Sequence, residues 1–154
     1  MLAFLFASSL AHAADGDNDE QVFNHGFRLG YSYVNTTALP SPHLFVFGYE
    51  MSQRIEGGGP IDVILVENVM LAGLNQSYAI PSMNLVTGVE IDKRVQVGVG
   101  VNLAAFDENG NLTHMIMAIG YMPKFGKITT PFHLSYIPDV DGAWRMAATT
   151  GVNW

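Results

Sequence analysis

From about residue 24 onward, large apolar side chains alternate with small or polar ones. In 95–103, Val95, Val97, Val99, Val101 and Leu103 fall on one face, and Gln96, Gly98, Gly100 and Asn102 on the other. In 83–92, Met83, Leu85, Thr87, Val89 and Ile91 oppose Asn84, Val86, Gly88, Glu90 and Asp92. In 144–154, Trp144, Met146, Ala148, Thr150, Val152 and Trp154 oppose Arg145, Ala147, Thr149, Gly151 and Asn153. Near the start, Phe27, Leu29, Tyr31 and Tyr33 oppose Arg28, Gly30 and Ser32. A period of two puts successive side chains on opposite faces of an extended chain. The pattern predicts strands at 24–37, 43–54, 60–73, 82–92, 94–106, 111–123, 127–138 and 143–154. Turn chemistry separates them, including Glu56-Gly57-Gly58-Gly59-Pro60, Asp92-Lys93-Arg94, Asn109-Gly110 and Asp141-Gly142. Asn109-Gly110 and Asp141-Gly142 are the pairs that supply the positive φ angles of tight hairpins. One segment resists assignment. Ile61 to Leu71 is apolar on both faces apart from Asp62, Glu67 and Asn68, so its facing is open and a bulge that switches parity would account for it.

The small polar face is rich in Gly, Ala, Ser and Asn and poor in Lys and Glu, an odd composition for a surface that meets water. It suits the crowded lumen of a narrow barrel, leaving the aliphatic and aromatic face to lipid. In lipid every backbone group must be paired, so only helices and closed barrels span it. Phe45, Phe47, Tyr49, Tyr121, Phe132, Tyr136, Trp144 and Trp154 sit near strand ends, where interface girdles belong. The composition agrees: 49% of residues are hydrophobic and only 14% charged, against about a quarter charged in soluble domains. The expected fold is all-β, an up-and-down antiparallel transmembrane β-barrel of about eight strands. Residues 1–13 read as a signal peptide, with the apolar run Leu2–Ala7 and the cleavage pattern Ala11-His12-Ala13, although no Lys or Arg precedes the run. Residues 14–23 read as a flexible polar segment and 24–154 as the barrel. The net charge of −7 argues against nucleic acid as a partner. The chain has no cysteine, hence no disulfide and no cysteine-ligated metal.

With strands, turns and leader in place, residues 24–154 resemble the small eight-stranded outer-membrane barrels, such as the OmpA membrane domain and OmpX. The resemblance lies in pattern, and its most specific part is the C-terminus. Members of this class end in an aromatic residue with a hydrophobic residue two positions earlier, on a strand that the barrel-assembly machinery reads. Here Val152 and Trp154 hold those places, with Trp where Phe is commoner. The resemblance implies localisation in the bacterial outer membrane after export through the periplasm. It also implies outer-membrane lipid and lipopolysaccharide as surroundings, and both termini on the periplasmic side. The turns 56–60, 92–94 and 124–127 would then be periplasmic and the other four connections external. Those external connections are short, unlike the long partner-binding loops of some members.

By parity, Arg28, Glu50, Glu90, His114, His133 and Arg145 point into the lumen. Charges in a narrow barrel must be paired. The expectation is a network in which Arg28 and Arg145, on the first and last strands, meet Glu50 and Glu90. It plugs the lumen and fixes register, in preference to gating ions or solutes, because about eight strands leave an interior just filled by side chains. His133-x-Ser135 is similar to the His-x-Ser of outer-membrane lipid A deacylases, which implies a Ser nucleophile and a His base. Against it, parity turns both residues inward, and no Glu follows on the last strand, leaving only Asp139 and Asp141. A lumen histidine is the preferred reading.

Gly57-Gly58-Gly59 lacks the Lys-Ser/Thr of a phosphate loop. His25, His43 and His114 show no metal-ligand spacing, and no cofactor motif is present. The eight Met residues fit packing against lipid. The acidic loop tips Asp107-Glu108 and Asp139–Asp141 read as solvated turns before cation sites. The leading expectation is a non-enzymatic barrel with a mostly side-chain-filled lumen, structural or surface-presenting, with at most weak permeation of small solutes. The alternatives are a lipid A-modifying enzyme and a secreted soluble barrel that holds a small apolar ligand inside.

Overall fold

A computed structural model describes residues 21–36, 39–104, 112–126, 128–138 and 144–154. The strands are β1 Gln21–Val34, β2 His43–Ile55, β3 Ile61–Ala72, β4 Ile80–Ile91, β5 Val95–Ala104 and β6 Thr113–Tyr121, then β7 Lys124–Phe125, β8 Ile128–Thr129, β9 Phe132–Pro138 and β10 Trp144–Asn153. Each long strand pairs antiparallel with the next, from β1 through β6 to β9 and β10. β10 then returns to β1, from Gly26↔Asn153 to Val34↔Arg145. The ladder therefore closes on itself as an eight-stranded barrel, and β7 and β8 form a small hairpin beside it. The start of β1 and the end of β10 share one rim, called the terminal rim below.

β1 begins at Gln21, which pairs with Ile55, so 21–23 belong to the barrel and not to a flexible lead. The expected leader and the rest of that lead lie outside the described residues, as do the acidic connections 107–111 and 139–142. The expected strand 127–138 is interrupted. Pro131, fully buried, has no N–H to give a ladder, so pairing stops after Thr129 and resumes at Phe132.

β3 runs in unbroken register against β4, from Ile61↔Ile91 to Ala72↔Ile80, without the bulge that parity alone invited. Asp62, Ile64, Val66, Asn68 and Met70 point inward, while Ile61, Val63, Glu67, Val69 and Leu71 point outward. The strand is apolar on both faces because part of the lumen is itself apolar.

The turn after β4 has Asp92 and Lys93 at φ 50° and 54°, the left-handed values that a tight hairpin demands. At the opposite rim, Gly73 at φ 87° opens the short 3-10 turn Leu74–Gln76. Asn75 and Gln76 there act as backbone substitutes. Asn75 Oδ1 accepts from Phe45 N at 2.9 Å, and Gln76 Oε1 accepts from Ser41 N at 3.1 Å.

Outside, the barrel is apolar almost throughout. Val99, Phe27 and Leu134 are about half exposed, while their strand neighbours Arg28 and Glu50 are 1% exposed. Aromatic rings gather at both rims. His25, Phe27, Tyr49 and Trp154 cluster at the terminal rim, with His25 and Trp154 centroids 5.1 Å apart. Tyr31, Tyr33, His43 and Trp144 cluster at the other.

Candidate functional site

The half of the lumen nearer the terminal rim is filled by charge. Arg28 on β1 points inward beside Gly48 on one neighbour and Gly151 on the other. A Cβ on Gly151 would lie 1.9 Å from the Phe27 carbonyl oxygen and 2.8 Å from Arg28 Nη1, so the close pairing of the two strands beside the guanidinium needs the glycine. Arg28 Nε donates to Glu50 Oε2 at 3.1 Å and Nη2 donates to Glu50 Oε1, a two-pronged pair on adjacent strands. Its Nη1 donates to Asn153 Oδ1 at 2.6 Å, tying first strand to last. His133 Nδ1 lies 3.4 Å from Glu50 Oε2, and its Nε2 lies 3.1 Å from Gln96 Oε1. Gly120 opposite makes this possible, because a Cβ there would sit 2.7 Å from the same Nε2.

The chain of contacts continues across the barrel. Gln96 Nε2 donates to Glu90 Oε2 at 2.7 Å, and Arg54 Nη1 donates to Glu90 Oε1 at 2.8 Å. Arg54 Nη2 reaches Glu56 Oε1 at 2.7 Å, which Lys93 Nζ also reaches at 2.9 Å. Lys93, then Arg54, hold the Glu56 carboxyl below its ordinary range. Arg54 Nε faces Asp62 Oδ2 at 3.7 Å, beyond hydrogen-bond reach, and neither atom has a hydrogen-bond partner among the described residues. Pairing of this kind is what a charge withdrawn from water requires, since each unpaired ion is penalised by several kcal/mol, order of magnitude.

Among the residues singled out by parity, Arg28, Glu50 and His133 come together. Glu90 does not join them directly: its partners are Arg54 and Gln96, not Arg28 or Arg145. The reason is register. Glu90 shares its row with Asp62 and Gln96, close to the terminal rim. Arg145 pairs across from Val34 at the opposite rim, where its Nη2 donates to Asn102 Oδ1 at 3.1 Å. His114 is buried on β6 opposite Asn102. Arg54, Asp62, Gln96 and Asn153 were missed. Arg54 lies four residues beyond Glu50 on β2 and so has the same parity, which would have found it.

The other half of the lumen differs. Asn68, Asn84 and Asn102 stand in one row across β3, β4 and β5. Asn102 Nδ2 donates to Asn84 Oδ1, and Asn84 Nδ2 to Asn68 Oδ1, each at 2.5 Å. Beside this ladder, Ile64, Val66, Val86, Ile116 and Ile137 pack as an apolar cluster. A second cluster of Val34, Leu39, Leu44 and Ile80 lies at the rim. A cavity of about 480 Å³ is lined by both clusters and reaches to Arg28, Glu50, Gln96 and His133. Side chains therefore do not fill the lumen throughout.

His133 and Ser135 both face the lumen from β9. A base for Ser135 needs a ring nitrogen aimed at its hydroxyl. Both nitrogens of His133 face oxygens of Gln96 and Glu50 instead. Val152 and Trp154 lie on the outer face, and Trp154 exchanges backbone hydrogen bonds with His25 at the rim.

A closed antiparallel ladder, with its polar side chains inside and its apolar ones out, is on these grounds a barrel turned toward lipid. The fold is that of the eight-stranded outer-membrane barrels. Among solved structures, the chain is similar to neisserial surface protein A, at a TM-score of 0.55 and 10% identity over 88% of this chain and 98% of that one. Two structures of the Yersinia pestis protein Ail also match. One, in a phospholipid nanodisc, has a TM-score of 0.41 and 14% identity, over 83% of this chain and 98% of that one. The other, in complex with the heparin analogue sucrose octasulfate, has a TM-score of 0.46 and 12% identity, over 90% of this chain and the whole of that one. No family model and no curated protein matches the sequence.

Proposed function

We propose that this protein is a non-enzymatic integral barrel of the bacterial outer membrane, closed to free diffusion by the charge network in its terminal half. The observation that carries the reading is the reversal of faces: Arg28, Glu50 and Glu90 inside, and Phe27, Val99 and Leu134 outside. The rim bearing the chain ends faces the periplasm, and the connections at the other rim face outward. Outer-membrane lipid and lipopolysaccharide contact the aromatic girdles. Val152 and Trp154, exposed at the end of β10, form the signal for the barrel-assembly machinery. The protein supports the membrane or presents its short outer connections, and the Arg28–Glu50–His133 contact blocks small solutes.

Fractionation tests the localisation. In a Gram-negative host the protein should band with outer membranes on a density gradient, and recovery from the soluble periplasm would overturn the reading. Planar-bilayer recording tests the block: the intact barrel should give no stable conductance, and Arg28→Ala should raise it. A conducting wild type would remove the plug. Mass spectra of lipid A should be the same with wild type and His133→Ala.

A further inference from the structure

We propose that the outward half of the lumen is a binding site for a small, uncharged, mainly apolar molecule bearing one hydrogen-bond acceptor. The cavity of about 480 Å³ is the size of known small-molecule sites. One side of its wall is built from Ile64, Val66, Val86, Ile116 and Ile137, brought together from four strands, and polar side chains including Arg28, Asn68, His114 and Arg145 complete it. Membrane insertion does not call for this, because lipid is met by the outer face. Against the isoleucine and valine side an ordered water lacks the two to four polar partners it needs, whereas the polar side, with Ser82, Asn84 and His114, can hold water. An apolar body fills such a wall and removes the empty contacts.

The head group is set by the asparagine ladder. Each amide donates to the next carbonyl, from Asn102 to Asn84 to Asn68, and the run ends there. Asn68 Nδ2, in the cavity lining, donates to no group among the described residues. An acceptor oxygen on the ligand would complete the series. At the floor Arg28 and Glu50 are already matched to each other, so that end offers a further ion no counter-charge, and Arg145, which also lines the space, is engaged by Asn102. Asn35, Thr36 and Trp144 line the same space near the rim opposite the chain ends.

The test is a titration of 2-decanone into the methyl-labelled barrel in phospholipid nanodiscs, followed by NMR. The expected result is saturable shifts at Ile64, Val86, Ile116 and Ile137, with Val97, Val99 and Leu134 on the lipid face unmoved. Asn68→Leu should weaken binding about tenfold if the acceptor contact is made, while decane should bind both forms equally. Val86→Trp should abolish the lumen shifts; its folding is checked by retained heat-dependent gel mobility. Shifts that grow without saturation on the lipid-face methyls alone, or none in the lumen of the wild type, would overturn the site. The wild-type titration decides this even if Val86→Trp fails to fold. Such a failure leaves the membrane barrel standing, because fractionation tests that separately.

Discussion

Glu50 is the residue on which the lumen turns, because it accepts from Arg28 and faces His133 while being 1% exposed. Removing it leaves a guanidinium buried without its anion. Glu50→Ala should therefore destabilise the barrel by about 3–5 kcal/mol in urea unfolding. Glu90→Ala should also destabilise, through Arg54, and an unchanged midpoint would count against that pair. At the rim, the Glu56 carboxyl is held low by Lys93 and Arg54. A group with a lowered folded value stabilises fully above its unfolded value near 4.5, and loses that contribution as pH falls through the folded value. Glu56→Gln should accordingly flatten the fall of the urea midpoint below about pH 4.5, and an identical acid slope would show that the clamp contributes nothing. These partners were only partly legible in the sequence. Parity says which side chains enter the lumen. The choice among them follows from register, which brings Arg54 within reach of Glu90 and carries Arg145 to the opposite rim.

At the scale of the strand, alternation was readable wherever one face is polar and the other apolar, as in β1, β5 and β10. β3 was unreadable by the same rule, since the apolar lumen wall gives Ile64 and Val66 the same character as the lipid-facing Val63 and Val69. The break at Pro131 was written in the sequence and was outweighed by the pattern on either side. Depth along a strand is a further test of facing. Val99, in the middle of β5 and 54% exposed, should tolerate Arg poorly, at about 2–4 kcal/mol near the bilayer centre. Leu112, beside the rim and 59% exposed, should lose only about 0–1 kcal/mol on the same change. Equal tolerance at the two sites, measured by urea titration in lipid vesicles, would contradict a lipid-facing belt.

For the molecule as a whole, closure and inversion go together. β10 pairs with β1 along its length, Arg28 donates to Asn153 across that seam, and Trp154 meets His25 at the rim. The ladder of the barrel has no open edge to lose to solvent, and its charges are shielded within. A soluble barrel would need the opposite arrangement, since Phe27, Val97 and Leu134 would then stand in water. The most direct measurement is electrophoretic: membranes containing the protein, run in SDS with and without boiling. A closed, detergent-resistant barrel should migrate differently before and after heating. A single, unshifted band from protein found soluble in the periplasm would contradict the inverted barrel.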